Sequence, residues 1–114
     1  MTHHTGYYDA QHLADFGHIG DHASTLADKF FAWYGEVFKD GALSARDKSL
    51  IALAVAHAVQ CPYCIDAYSR GCLEKGVDPE QMTEAIHVAA AIRGGASLVH
   101  GMQMRQQVDK LSMR

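Results

Sequence analysis

Leu50-Ile51-Ala52-Leu53-Ala54-Val55-Ala56-His57-Ala58-Val59-Gln60-Cys61-Pro62-Tyr63-Cys64-Ile65-Asp66-Ala67-Tyr68 is the stretch that decides the fold of this 114-residue chain. Its first half, Leu50 to Val59, is apolar nearly all round a helix and carries His57 near its end. A helix with no polar face is expected to lie buried among others. The second half opens on a Cys-x-x-Cys pair. Proline suits the first helical position, where its missing N–H would have no intrahelical partner, so Cys61 is predicted to cap a new helix. Residues three apart on a helix hold their Cβ atoms about 5–6 Å apart. A modest adjustment then closes a disulfide. The unpaired N–H groups of the helix start stabilise a thiolate.

Helix signals continue outward from this stretch. Ser44 followed by Asp47 resembles a capping box and opens the apolar helix. The helix after Cys61 is predicted to run to Lys75, with Gly76 as its stop. Asp78-Pro79 repeats the cap-then-proline signal. The helix it opens reaches about Arg93 with Met82, Ala85, Ile86, Ala89 and Ile92 on one face. Gly94-Gly95 is expected to break or kink it, and a last helix follows to about Lys110. Upstream, Leu26, Phe30, Trp33, Tyr34, Val37 and Phe38 form one stripe of a helix from about His22 to Phe38. That aromatic stripe reads as core or subunit interface. A short helix is expected within Asp9 to Phe16, and no run alternates as strands do. The chain is therefore predicted to be all-α: one domain over 1–114, core about 22–110, a bundle of five to six helices.

Composition narrows the function. The net charge is −3, from ten basic and thirteen acidic residues. Nucleic acid is excluded as the main partner, because phosphate binding needs clustered Lys and Arg and the basic residues here are scattered. No run approaches the roughly 20 apolar residues of a membrane span. No basic-then-apolar leader is legible at Met1 to Thr5, so a cytoplasmic location is expected. A small domain with such apolar central helices is expected to share its core with copies of itself, as a homo-oligomer. Three cysteines do not suggest a structural disulfide framework.

The pair Cys61 and Cys64 suits thiol redox chemistry, with the thiolate as nucleophile toward a peroxide or a disulfide. Oxidation to a sulfenic acid is then resolved by the neighbouring thiol. Half of a zinc site and two packed cysteines are the other readings, and a second pair at zinc-finger spacing is absent from the sequence. His57 is the candidate proton shuttle, being four residues before Cys61, and Tyr68 a candidate hydrogen-bond donor one turn after Cys64. Cys72 lies about 12 Å beyond Cys64 along the helix and reads as a packed core cysteine. His87 and His100 read as solvated or packed. His3, His4, His12, His18 and His22 are assigned to no metal site, and the chemistry calls for no cofactor and no resident metal.

The run from Leu50 to Tyr68 resembles the carboxymuconolactone decarboxylase-like superfamily, and within it the alkylhydroperoxidase D branch, over about residues 40 to 105. The resemblance implies an all-helical fold, assembly into trimers or hexamers, and peroxidase or disulfide-reductase chemistry at Cys61 and Cys64. Its substrate would be a hydroperoxide or disulfide and its reductant an external dithiol. It assigns Cys64 the peroxide reaction and Cys61 the resolving role, whereas the helix-start argument favours Cys61 as the more reactive thiol. The branch's proton relay is a glutamate and a histidine; this sequence has Ser49 and Tyr68 in their places. Residues 54–69 and 84–101 also resemble a peroxidase-like subgroup associated with arsenosugar biosynthesis, which implies a trivalent arsenical or an associated thiol as ligand. A dithiol protein that binds a soft metal or metalloid, a cofactor-free lactone decarboxylase and a non-catalytic relative are the alternatives.

Overall fold

The computed structural model describes residues 8–113, so His3 and His4 lie outside the described residues. Five α-helices and one 3-10 turn follow in order. They are α1 (Ala10–Ala14), the turn Phe16–Gly20, α2 (Ser24–Val37), α3 (Ala45–Ala58), α4 (Pro62–Glu74) and α5 (Pro79–Ser112). No strand occurs among the described residues. The fold is all-α, as the sequence predicted.

The helix starts follow their caps. The Ser44 hydroxyl accepts the Asp47 N–H at 3.0 Å and starts α3. Asp78 accepts the Gln81 N–H at 2.8 Å, and the Gln81 side chain accepts the Asp78 N–H in return, so α5 opens on a full capping box. Pro79 and Pro62 stand in the first turns of their helices.

α3 and α4 pack on each other and α3 packs on α5. Their shared core is Leu53, Cys72 and Val77, with Leu50, Tyr68 and Met82 against it. Cys72 is wholly buried, which bears out its reading as a packed residue. α2 sits on the 3-10 turn, and α1 reaches across to α4.

Two expectations are corrected. Gly94-Gly95 does not break the last helix: α5 runs unbroken for 34 residues. Glycine costs a helix about 1 kcal/mol relative to alanine but does not forbid it, and only Gly76 among the described glycines has positive φ. The second correction concerns α3, expected to be buried all round. Ser49, Leu53 and Ala56 are buried, but Ile51 and Val55 on another face are half exposed. Beyond Ala89 almost every residue of α5 is exposed, Leu98 at 80%.

Candidate functional site

Cys61 is placed by two helix ends that share it. α3 ends in a Schellman motif: the Cys61 N–H donates to the Ala56 carbonyl at 3.0 Å and the Gln60 N–H to the His57 carbonyl at 3.2 Å. Gln60 takes the left-handed position of that motif, at φ 57°. Cys61 then turns extended and caps α4, and its Sγ accepts the Cys64 N–H at 3.3 Å. The sulfur thus does the work usually given to a serine or aspartate oxygen at a helix start.

Burial pushes the Cys64 thiol up to about 11, and its hydrogen bond to Cys61 and the charge of Cys61 push the same way. The two sulfurs face Tyr34 of α2: burial first, then the cysteine charges, raise its phenol above the ordinary value. Tyr34 entered the sequence reading only as part of an aromatic stripe.

Both cysteines open onto one cavity of about 420 Å³. Its walls are Leu13 and Phe16 from the N-terminal segment, Phe31 and Tyr34 from α2, Tyr63, Ala67 and Tyr68 from α4, and the ring of His12. No Lys, Arg, Asp or Glu is among these lining residues. A second apolar cavity of about 470 Å³ also reaches Cys64 and is walled in part by Ile51 and Val55 of α3 and by Val59, the residue that caps its end. Cys64, Tyr34 and Tyr68 line both. Lys48 reaches the second, but its ammonium donates to the Lys39 carbonyl at 2.6 Å.

Of the four residues singled out from sequence, Cys61, Cys64 and Tyr68 share the first cavity, and His57 is not among its lining residues. The His57 Nδ1–H donates to the Leu53 carbonyl at 2.8 Å, one turn back in its own helix. Tyr68 stacks on Phe38 with centroids 5.2 Å apart, so it is a packing ring that also faces the cavity. The imidazole at the cavity is His12. Its Nδ1 lies 3.1 Å from the Tyr63 hydroxyl. The two residues are 51 positions apart, and local spacing held no signal for the contact. Ser49, at the position of the branch's glutamate, is buried at 2% exposure and puts no ionisable group there. His87 and His100 are exposed. Among the described residues no group of three His, Cys, Asp or Glu side chains is placed to hold a metal ion, and no helix is long and apolar enough to cross a membrane.

A bundle that holds a Cys-x-x-Cys pair at a helix start, beside an apolar cavity, defines the class. The chain belongs to the carboxymuconolactone decarboxylase family, whose model matches residues 25–106. It is 41% identical over 98 residues to a Paracoccus denitrificans protein described as uncharacterized protein 4 in the cox locus, covering 86% of this chain and 88% of that one. Two solved structures share the fold. A Methanobacterium thermoautotrophicum protein superposes with a TM-score of 0.71 at 30% identity, covering 74% of this chain and 94% of its own. A carboxymuconolactone decarboxylase family protein from Legionella pneumophila, in its apo form, gives 0.66 at 29% identity, covering 80% and 86%. The alkylhydroperoxidase-like branch suggested by residues 50–68 is consistent with this membership.

Proposed function

We propose that the protein is a thiol-dependent oxidoreductase in which Cys61 and Cys64 cycle between dithiol and disulfide. The observation that carries this reading is the placement of both sulfurs at one helix start, Cys61 accepting the Cys64 N–H, at the mouth of a cavity walled by apolar and aromatic groups. A neutral organic hydroperoxide or disulfide suits such walls. A lactone carboxylate would meet no Lys or Arg among the lining residues.

Cys61 is the first nucleophile in this proposal, because it receives the helix-start hydrogen bond while Cys64 is held protonated by burial. The Cys61 thiolate attacks the terminal oxygen of the hydroperoxide. An S–O bond forms, the O–O bond breaks, and the alkoxide takes a proton to leave as the alcohol. Cys64 then attacks the sulfenic sulfur. The S–S bond forms and the oxygen leaves as water with the second thiol proton. The hydroperoxide is reduced by two electrons and the pair oxidised by two. An external dithiol restores the pair by exchange. Such a dithiol needs a reducing compartment, which supports a cytoplasmic location. The proposal includes assembly of identical chains as trimers or hexamers, supported by the exposed apolar faces of α3 and α5.

The test is thiol titration and intact mass of the reduced protein after one equivalent of cumene hydroperoxide. The expected result is loss of two thiols and about 2 Da in the wild type, and a gain of about 16 Da on Cys61 in Cys64→Ser. Oxygen uptake by Cys61→Ser with an inert Cys64→Ser reverses the roles of the two cysteines. Thiols that stay reduced in the wild type refute the peroxidase reading.

A further inference from the structure

The N-terminal segment is laid over the cysteine helix as a strap. The Tyr8 hydroxyl donates to the Asp66 carboxylate of α4, and that carboxylate also pairs with Arg70 at 2.9 Å. The Tyr8 ring meets the Tyr63 ring edge-on at 5.0 Å. One helical turn further on, His12 meets the Tyr63 hydroxyl at 3.1 Å, and Phe16 then packs on Phe31 at 5.2 Å. The strap precedes residue 25, where the family match begins.

We infer that His12 is the proton-relay residue of the dithiol cavity, acting through the Tyr63 phenol, and that the strap exists to deliver it. The inference rests on the thiol-dependent reading above and names the residue that moves the protons. Tyr63 stands between the two cysteines in sequence and shares their cavity with His12. Histidine is the side chain suited to exchange protons near neutral pH, and among the described residues His12 is the sole imidazole lining this cavity. His57 faces its own helix backbone instead. Among the described residues the groups facing His12 are Tyr63 from α4 and, on its own segment, the Asp9 carboxylate at 3.9 Å. Across the cavity stand Tyr34 from α2 and Cys61, Cys64 and Tyr68 from α4.

The geometry suits transfer in both directions. The imidazole–phenol hydrogen bond can reverse donor and acceptor, since either group can hold the proton. The His12 side chain is 66% exposed, so its outer nitrogen exchanges with water while its inner nitrogen meets Tyr63. A proton leaving a thiol can pass outward, and one can return to the alkoxide after O–O cleavage. Cys64 gives the relay its purpose: its thiol is held far above neutral pH and needs a nearby acceptor before it can close the disulfide.

Alkylation of the reduced protein by iodoacetamide between pH 5 and 10 tests this, compared among wild type, His12→Gln and Tyr63→Phe. This reagent reports thiolate formation and needs no peroxidase chemistry. Both variants are expected to react about tenfold more slowly than wild type near pH 7, where His12 and Tyr63 take up the thiol proton, and the gap is expected to narrow steadily towards pH 10, where hydroxide takes it instead. A strap that merely shields the site would change the rate by one factor at every pH, and that result overturns the relay. Superimposed profiles overturn it too. Coincident profiles with two-thiol loss to cumene hydroperoxide would leave the oxidoreductase standing without its relay. Shifted profiles with no response to hydroperoxide would leave the relay standing and remove the peroxidase.

Discussion

Gln60 fixes where Cys61 can stand. The same Schellman turn occurs twice among the described residues. After α4, Gly76 holds the left-handed position at φ 79°, and the Val77 N–H donates to the Cys72 carbonyl at 3.0 Å. After α3, Gln60 holds it at φ 57°. An L-residue with a Cβ pays about 1–2 kcal/mol there, and strain of this kind gathers at functional sites. Gln60→Gly is therefore expected to raise the unfolding free energy by about 0.5–1 kcal/mol, net of the greater freedom of unfolded glycine. The urea midpoint of the reduced protein checks it. At this scale the cysteine pair, the capping Cys61 and the first-turn proline were all legible, because each acts within four residues of chain. His12 was not, since nothing local ties it to Tyr63. His57 looked close to Cys61 in sequence, yet its ring is tied to the carbonyl one turn back.

Between residue and molecule, the elements show which sequence signals decide and which are overruled. Serine, aspartate and proline set the starts of α3, α4 and α5 as read. Two adjacent glycines did not end α5, for a stop needs a left-handed turn and a new cap, and the chain supplies neither there. The turn at Phe16–Gly20 went unread, as 3-10 turns carry little periodic signal. It is nonetheless what joins the strap to α2. A Cβ built on Gly20 would lie 2.7 Å from the Cβ of Ala27, so the turn touches α2 with no room for a side chain. Gly20→Ala must push the two apart, at a cost of about 1–3 kcal/mol. The expected outcome is a lower melting temperature together with faster iodoacetamide labelling of Cys61 at pH 10, because Phe16 and His12 retreat from the cavity with the turn. An unchanged labelling rate would show that the strap is held by Tyr8 and His12 alone.

The dimensions of the whole molecule are those of an incomplete object. Its radius of gyration is 19.4 Å, against about 13–14 Å for a compact domain of this length. α5 alone spans about 51 Å at 1.5 Å per residue, and Leu98, Val99, Met102, Met104, Val108 and Leu111 lie exposed along its second half. Monomers rarely leave so long an apolar surface in water. The sequence announced one helix with no polar face and apolar stripes on others, but one chain cannot reveal which copy buries them. The same surface bears on the site, because the second cavity beside Cys64 is walled in part by the exposed residues Ile51 and Val55 of α3 and Val59 at its end. A second copy laid on α3 would close that cavity and shield Cys64 from one side. Sedimentation velocity is expected to give a mass of three or six times 12.5 kDa. Val99→Glu together with Val108→Glu is expected to dissociate the assembly, since each places a charge where an apolar contact would be dehydrated. In the dissociated protein Cys64 should label about twofold to tenfold faster at pH 10, as an opened and better hydrated thiol ionises and reacts more readily. Neither substitution lies among the residues lining either cavity at Cys64, so faster labelling would mean that assembly governs access to the thiol. A monomeric wild type would mean instead that the apolar half of α5 waits for a different partner.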